Sequence, residues 1–294
     1  MQMRAGGYGQ SAAMPCLKPG AAPHAPAGGG LGPARAPIVA HAPDVSAPVV
    51  SGPVVAAQAP LPAAPGGGLH LRLIATTDLH GHIFPHDYAS GRRAPRLGLA
   101  RLAGHVGALR AGGVASVLLD NGDFLNGTPL SDFAAERGGP GLHPVIAAMN
   151  ALAYDAVTLG NHEFDHGLGP LRAALSGARF AVVTSNLVAR ANGQGADGGA
   201  AQPLGAPFVL VDRVLRDGAG RAHHLRLGIL GVLPPAVEAW NHEAIAGALA
   251  VSDMVRAVQA RAAAARAAGA DLVIVLAHTG LAPGPHVLGK ENAA

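Results

Sequence analysis

The sequence predicts an α/β domain whose strands are buried on both faces. Three observations carry that expectation. From residue 69 onward, short aliphatic runs alternate with longer segments of helical apolar spacing. The densest polar clusters follow directly after the aliphatic runs, where the ligands of parallel sheets gather. Apolar residues make up 49% of the chain and aromatic residues only 3%, so Leu, Val, Ile and Ala must fill the core.

The elements follow in order. Residues 71–76 are a short apolar run, read as a strand. Residues 96–111 place Leu99, Leu102, Ala103, Val106 and Leu109 at helical spacing. A second strand is expected at 115–119, a helix at 143–152 and a short strand at 156–159. Residues 168–175 read as helix, with Pro170 tolerable in a first turn. Residues 180–184 are another strand, and the Gly/Ala/Asn-rich stretch 191–201 is a loop. Residues 208–215 and 225–232 form a strand pair around the turn Asp217-Gly218-Ala219-Gly220. A long Ala/Arg helix at 253–268 precedes a last aliphatic strand at 272–276.

Residues 1–68 differ from all of this. They are dominated by Ala, Pro and Gly, lack apolar periodicity and read as a disordered leader before a domain at 69–294. The one cysteine, Cys16, falls in that leader and cannot form an internal disulfide. No apolar run is long enough to cross a bilayer, and residues 1–20 lack the apolar core of a secretory signal. The formal charge of +3 and a pI near 9.5 favour anionic substrates mildly. Lys and Arg are sparse and dispersed, which argues against a nucleic-acid polymer as partner.

Five polar clusters follow the strands: Asp78-Leu79-His80-Gly81-His82, Asp120-Asn121-Gly122-Asp123, Gly160-Asn161-His162-Glu163-Phe164-Asp165, Ser185-Asn186 and His278-Thr279-Gly280. Parallel strands would bring all five to one rim. Carboxylate, imidazole and amide donors together suit Zn²⁺, Mn²⁺, Fe or Co²⁺ rather than an all-oxygen Ca²⁺ cage. Asp78 and His80, two apart on an extended segment, would face the same way. Asp123 could bridge two ions through its two oxygens. Glycines at 81, 122, 160 and 280 would let the backbone turn sharply around the ligands. Taken singly, each cluster has a plainer reading: Asn-Gly-Asp is an ordinary turn, residues 161–165 a capped helix start, His278 a core histidine. Their joint occurrence, each at a strand end, is what the plainer readings explain poorly.

The series Asp78-x-His80, Gly122-Asp123, Gly160-Asn161-His162-Glu163 and the later His278 resembles the calcineurin-like metallophosphoesterases. The wording TTDLHGHI, LDNGDFLNGTPLSDF, HPVIAAMNALAYDAVTLGNHEFDHGL and VIVLAHTGL narrows the resemblance to the 5′-nucleotidase branch. Within it, HPVIAAMN, GVLPPAVEAWNHEAIAG and the final AHTGLAPGPHVLGKENAA are most similar to the 2′,3′-cyclic-nucleotide 2′-phosphodiesterase/3′-nucleotidases. The resemblance runs from about residue 71 to the end.

It implies a layered β-sandwich flanked by helices and two divalent metal ions (Mn, Zn, Co or Fe). Asp78 and His80 would hold the first ion, Asp123 would bridge, and Asn161 and His278 would hold the second. His162 would face the phosphoryl group as a catalytic residue, oriented by Asp165. His82, His86 and Asp87 match no ligand position and read as loop or wall. The implied reaction is metal-assisted hydrolysis, opening a 2′,3′-cyclic nucleotide to the 3′-nucleotide and then releasing nucleoside and phosphate. The family carries a further strand, a Gly-His-x-His motif and a separate C-terminal substrate-binding domain that stacks the nucleobase. Residues up to Ala294 show none of these, so the fold is expected to be truncated at the C-terminus and activity weak or absent. Alternatives are a non-catalytic fragment of such an enzyme, a 5′-nucleotidase or UDP-sugar hydrolase of the same branch, and a nuclease on the same scaffold. The family resemblance implies the periplasm.

Overall fold

The aliphatic runs do form strands, but they divide between two sheets. The computed structural model describes residues 68–137, 142–191, 193, 202–281 and 287, and the backbone of residues 49–50. The expected leader, apart from residues 49–50 and 68, and most of the expected loop at 191–201 lie outside the described residues. The chain begins with β1 (Val49–Val50), β2 (Leu71–Thr76), a small hairpin of β3 (His86–Asp87) and β4 (Arg92–Arg93), and helix α1 (Leu99–Ala111). Next come β5 (Ala115–Asp120), α2 (Pro129–Arg137), α3 (Pro144–Ala151), β6 (Ala156–Val157), a 3₁₀ turn at His162–Phe164, α4 (Leu168–Leu175), β7 (Ala181–Val182) and β8 (Leu187–Ala189). The rest is β9 (Val209–Arg216), β10 (Ala222–Val232), α5 (Val237–Trp240), α6 (His242–Ile245), β11 (Leu249–Val251), α7 (Met254–Ala267) and β12 (Leu272–Ala277).

The first sheet runs β2-β5-β6-β7 and is parallel throughout. The second runs β1-β9-β10-β12: β9 and β10 pair antiparallel, and β12 lies parallel to β10. Alternation along the strands sorts side chains into layers. Val117 and Leu119 of β5 meet Val209, Val211, Leu227 and Ile229 between the sheets. Leu118, one residue out of phase, packs with Val106 of α1 and Ile146 and Met149 of α3 on the first sheet's outer face. Leu210 and Leu230 face Ala265 of α7 on the second sheet's outer face. The result is helices, sheet, sheet, helix, the layered sandwich expected. Arg213 of β9 pairs with Asp155, and its Nε donates to the Ser116 carbonyl at 2.9 Å, tying one sheet to the other.

Several boundaries moved for physical reasons. The first helix starts at Leu99 rather than residue 96, because Gly98 sits at φ 96°, outside helical space. Helix α3 starts after His143, whose Nδ1 accepts the Val145 N–H at 3.3 Å and caps the end. Helix α2 was not anticipated. Ser131 is the one buried residue in it, so it lacks an apolar stripe to read. Strands β8 and β11 were also missed. They pair only with each other, three residues apiece.

Candidate metal centre

Two loops of the first sheet form the base of the site. After β2, the Asp78 N–H donates to the Gly122 carbonyl (3.0 Å), His80 N–H to Asp123 (2.9 Å) and Gly81 N–H to Phe124 (3.0 Å). The segment is therefore laced onto the loop after β5 and is not extended. Asp78, His80 and Asp123 lie at φ 52°, 45° and 57°, in the left-handed region that costs a non-glycine residue energy. Asp78 Oδ1 and His80 Nε2 do approach, at 3.6 Å, through paired left-handed turns and not through the alternation of a strand. Asp78 and His80 are half-exposed to exposed, whereas Asp123 is buried.

Glu163 organises the next layer. It is 1% exposed, and its carboxylate accepts the N–H groups of Asp123 (2.8 Å), Phe124 (2.8 Å), Leu125 (3.0 Å) and Gly160 (2.6 Å). One carboxylate thus fixes the loop carrying Asp123 to the loop carrying Asn161. Burial raises the Glu163 pKa and the charge of Asp123 adds to that, while the N–H donors oppose it. Gly160 is needed for space, not for a sharp turn: a Cβ there would stand 2.2 Å from Asp123 Oδ1. Gly81 and Gly122 are the turn glycines, at φ 69° and 96°.

His278 arrives from the other sheet, at the end of β12. Its Nδ1 lies 2.9 Å from the Asn121 carbonyl, so Nδ1–H donates there and Nε2 is left facing Asp123 Oδ2 (3.3 Å) and Asn161 Oδ1 (3.3 Å). His80 is held in the same way, Nδ1 to the Asn126 carbonyl at 3.1 Å. A ring whose one nitrogen is anchored on a carbonyl presents the other as a donor, the usual support of a metal-binding histidine. Donor atoms of Asp78, Asp123 and His278 lie within 4.8 Å of one another. Asn161 precedes the 3₁₀ turn, and its side chain makes no capping hydrogen bond. The donor set of carboxylates, imidazoles and an amide oxygen therefore fits divalent transition-metal ions. Burial presses the Asp123 pKa upward, yet His278 and His162 outweigh it and the net shift is down. The reciprocal pull raises the metal-free His278 to about 9, against the effect of its burial.

His162 stands beside the donors. Its backbone N–H donates to Asp123 Oδ1 at 2.8 Å, its ring meets His80 edge to face at 5.3 Å, and its Nδ1 is 2.9 Å from Asp165 Oδ2. Burial lowers its pKa, but Asp165 and the nearby carboxylates raise it further, so the net shift is upward. Ser185 and Asn186 do not belong to the site. Both are buried and their polar atoms are spent on structure: Ser185 on Pro207 and Gly231, Asn186 on Leu233 and Ser252. His86 and Asp87 sit in the small β3–β4 hairpin. His82 is half-buried, and among the described residues its buried Nδ1 has no partner.

The donors open into a cleft of about 310 Å³ lined by Asp78, Asn121, Asn161, His278, Pro234 and Trp240, among others. Sequence reasoning had no role for Glu163, Pro234 or Trp240. Glu163 gave a signal in its place directly after Asn161-His162, and Trp240 in being the chain's single tryptophan.

A helix-flanked double sheet with carboxylate, imidazole and amide donors at its strand ends is the build of a metal-dependent phosphoesterase domain. Known proteins agree. The chain is 36% identical over 225 residues to a 2′,3′-cyclic-nucleotide 2′-phosphodiesterase/3′-nucleotidase of Yersinia enterocolitica, covering 76% of this chain and 33% of that protein. The Haemophilus influenzae protein of that name is 35% identical over 227 residues, with the same two shares. The crystal structure of the calcineurin-like phosphoesterase YfkN from Bacillus subtilis superposes with a TM-score of 0.69 at 34% identity, over 76% of this chain and 66% of that one. No family model matches. The chain belongs to the calcineurin-like phosphoesterases, in the branch of the 5′-nucleotidases and 2′,3′-cyclic-nucleotide 2′-phosphodiesterase/3′-nucleotidases. It spans about a third of the length of the Yersinia and Haemophilus relatives, 33% in each case.

Proposed function

We propose that this domain hydrolyses nucleotide phosphoesters at a dinuclear metal site, opening 2′,3′-cyclic nucleotides to 3′-nucleotides and then releasing nucleoside and phosphate. The observation that carries the reading is the meeting of Asp78, Asp123 and His278 donor atoms within 4.8 Å, with Asn161 Oδ1 beside His278. Asp78, His80 and Asp123 would hold one ion, and Asp123, Asn161 and His278 the other. Divalent ions supply Lewis acidity toward the phosphoryl oxygens and a nucleophile at neutral pH.

The chain's own residues set the rest. Glu163 and the two carbonyl-anchored histidines hold the donors in place without substrate, so little reorganisation is left for the reaction. Asn161, a neutral donor, limits the negative charge that faces an anionic phosphate. His162, with Nδ1 on Asp165, would direct Nε2 at the phosphoryl group or the leaving oxygen and hold a proton there. Among the described residues, five side chains offer each ion three donors with Asp123 shared; we expect weakly held metal and slow turnover from residues 1–294. The names of the relatives and the resemblance to the family support the substrate class, and the same resemblance supports a periplasmic location. Among the described residues, no helix is long and apolar enough to cross a membrane.

The test is to load the purified chain with Mn²⁺, measure bound metal, and follow 2′,3′-cyclic AMP by chromatography. We expect 3′-AMP before adenosine, at a slow rate. Hydrolysis of bis(p-nitrophenyl) phosphate at an ordinary enzymatic rate would refute the slow-turnover part. No hydrolysis of any phosphoester with metal in excess would refute the reading itself.

A further inference from the structure

His162 needs more than its side-chain partner to keep it in place. Its imidazole is 47% exposed, and Asp165, which meets its Nδ1, is 39% exposed. Exposed pairs of this kind restrain a side chain weakly. The firmer hold is on the backbone. The His162 N–H donates to Asp123 Oδ1 at 2.8 Å, and the His162 carbonyl accepts an N–H from Asn126 Nδ2 at 2.7 Å. A carbonyl can only accept, so this bond fixes which way the Asn126 amide faces.

Asn126 is buried and reaches the other histidine as well: its own carbonyl takes the ring N–H of His80 at 3.1 Å. Its surroundings are tight on both sides. Gly127 lies at φ 137°, and a Cβ there would stand 2.8 Å from the His80 Cβ. The Leu125 N–H donates to Glu163 at 3.0 Å. Asp123 also bonds both histidines, taking the His80 N–H on its carbonyl and the His162 N–H on Oδ1. Asp123 is a proposed ligand of the ions; Asn126 is not, and its bonds to the two histidines are left without a role.

We propose that Asn126 is a positioning residue that sets the His162 imidazole against His80 and the other donors by holding the His162 carbonyl. The proposal rests on the phosphoesterase reading given above. The two rings meet edge to face at 5.3 Å, so a small rotation of the His162 backbone would carry its Nε2 off line. A misplacement of about 1 Å at a group that must meet reacting atoms can cost about 100-fold in rate. The bond to His80 comes from the main chain and the bond to His162 from the side chain. Shortening Asn126 therefore releases His162 and leaves His80 anchored, which predicts a loss of turnover without a loss of metal.

The test compares the wild-type chain, Asn126→Ala and Asn126→Gln, each loaded with Mn²⁺, on 3′-AMP, with Mn²⁺ titrated on the same preparations. We expect Asn126→Ala to lower kcat about tenfold while KM and Mn²⁺ affinity stay within about twofold. Asn126→Gln, which keeps the amide donor on a longer arm, should recover most of the loss. A second readout needs neither metal nor turnover. In the metal-free chain, isotope-labelled at histidine, Asn126→Ala should move the ring resonances of His80 and His162, which sense each other's ring, and leave that of His223, bonded to Asp217, in place. Should Asn126→Ala not fold, Asn126→Leu, near asparagine in shape and without a donor, takes its place in both measurements. A fall in Mn²⁺ affinity as large as the fall in kcat would make Asn126 a structural part of the loop. That outcome, an unchanged kcat or unmoved ring resonances would overturn the positioning role and leave the phosphoesterase reading intact. No hydrolysis by the wild-type chain with Mn²⁺ in excess would sink that reading and the proposal with it.

Discussion

The two sheets contribute to the proposed metal centre very unequally. The first, all parallel, delivers Asp78, His80, Asp123 and Asn161 on loops tied to each other by backbone hydrogen bonds and by the buried Glu163 carboxylate. Among the described residues, the second delivers His278 alone, from the end of an edge strand whose Leu272 and Val275 are 44% and 38% exposed. The loops on the first side are over-determined, tied to one another at several points. The donor on the second side is held by one ring hydrogen bond to Asn121 and by its own N–H on Val232, and its remaining contacts, Nε2 to Asp123 and Asn161, lie within the site itself. The first half therefore builds the site and the second half closes it.

This contrast can be broken most sharply at the donors. Asp123→Ala should cost more than about 100-fold in metal affinity, because a ligand is lost where even a supporting partner costs about 10–100-fold. His278→Ala should cost a similar factor in affinity while, above about pH 9 where the imidazole is neutral and its charge pair with Asp123 is lost, barely moving the thermal midpoint of the metal-free chain. A large drop in that midpoint would mean the second half also builds the site. Calorimetric metal titration and thermal melts on the same preparations read both quantities.

Glu163→Gln comes next. An amide set among four N–H donors leaves some of them unpaired in a buried place, at about 1–3 kcal/mol. Unlike His278→Ala, it should lower stability and metal affinity together, in denaturant melts and in metal titration. If affinity fell with stability unchanged, Glu163 would be acting on the ion and not on the loops.

A third test uses pH. Burial raises Asp120 to about 8, with the Thr76 hydroxyl and the Gly122 N–H opposing. In the unfolded chain this carboxyl ionises near pH 4. Between those values the native state holds the extra proton, so the metal-free chain should lose stability as pH rises from about 4 toward 8. Asp120→Asn, which keeps the shape and carries no charge, should flatten that slope in urea melts at graded pH. The smallest effect is expected at the edge of the second sheet. Val275→Thr should change stability by no more than about 0.5 kcal/mol, as surface substitutions usually do, and a larger loss would show the edge to be covered.

Much of this was legible beforehand. Aliphatic runs marked strands because sheets packed on both faces exclude polar side chains, and the polar clusters at their ends include Asp78, Asp123 and His278, whose donor atoms the fold brings together. The hairpin of 208–215 with 225–232 was expected, and the resemblance implied the layered sandwich; which sheet each remaining strand joins was not legible, because the aliphatic run at 272–276 reads the same in either sheet. The reason given for Asp78 and His80 was wrong although the pair does meet, because periodicity does not carry the sign of φ. Glu163 escaped because its value lies in four backbone N–H groups, which no side-chain pattern records. Ser185 and Asn186 were over-read: a polar pair after a strand can equally be the internal fastening of that strand.

The left-handed turns at Asp78, His80 and Asp123 have a consequence for how this domain can be improved. Glycine is the residue most at ease at such torsions, yet glycine brings no donor atom. Asp78 is the least encumbered of the three: it is exposed and, among the described residues, its carboxylate accepts the Thr77 hydroxyl and lies 3.6 Å from His80 Nε2. Asp78→Gly should therefore leave the metal-free melting point no lower, while emptying half of the first ion's grip. Selection for a hardier scaffold alone, whether in a laboratory or across generations, would drift toward a protein that melts later and does nothing.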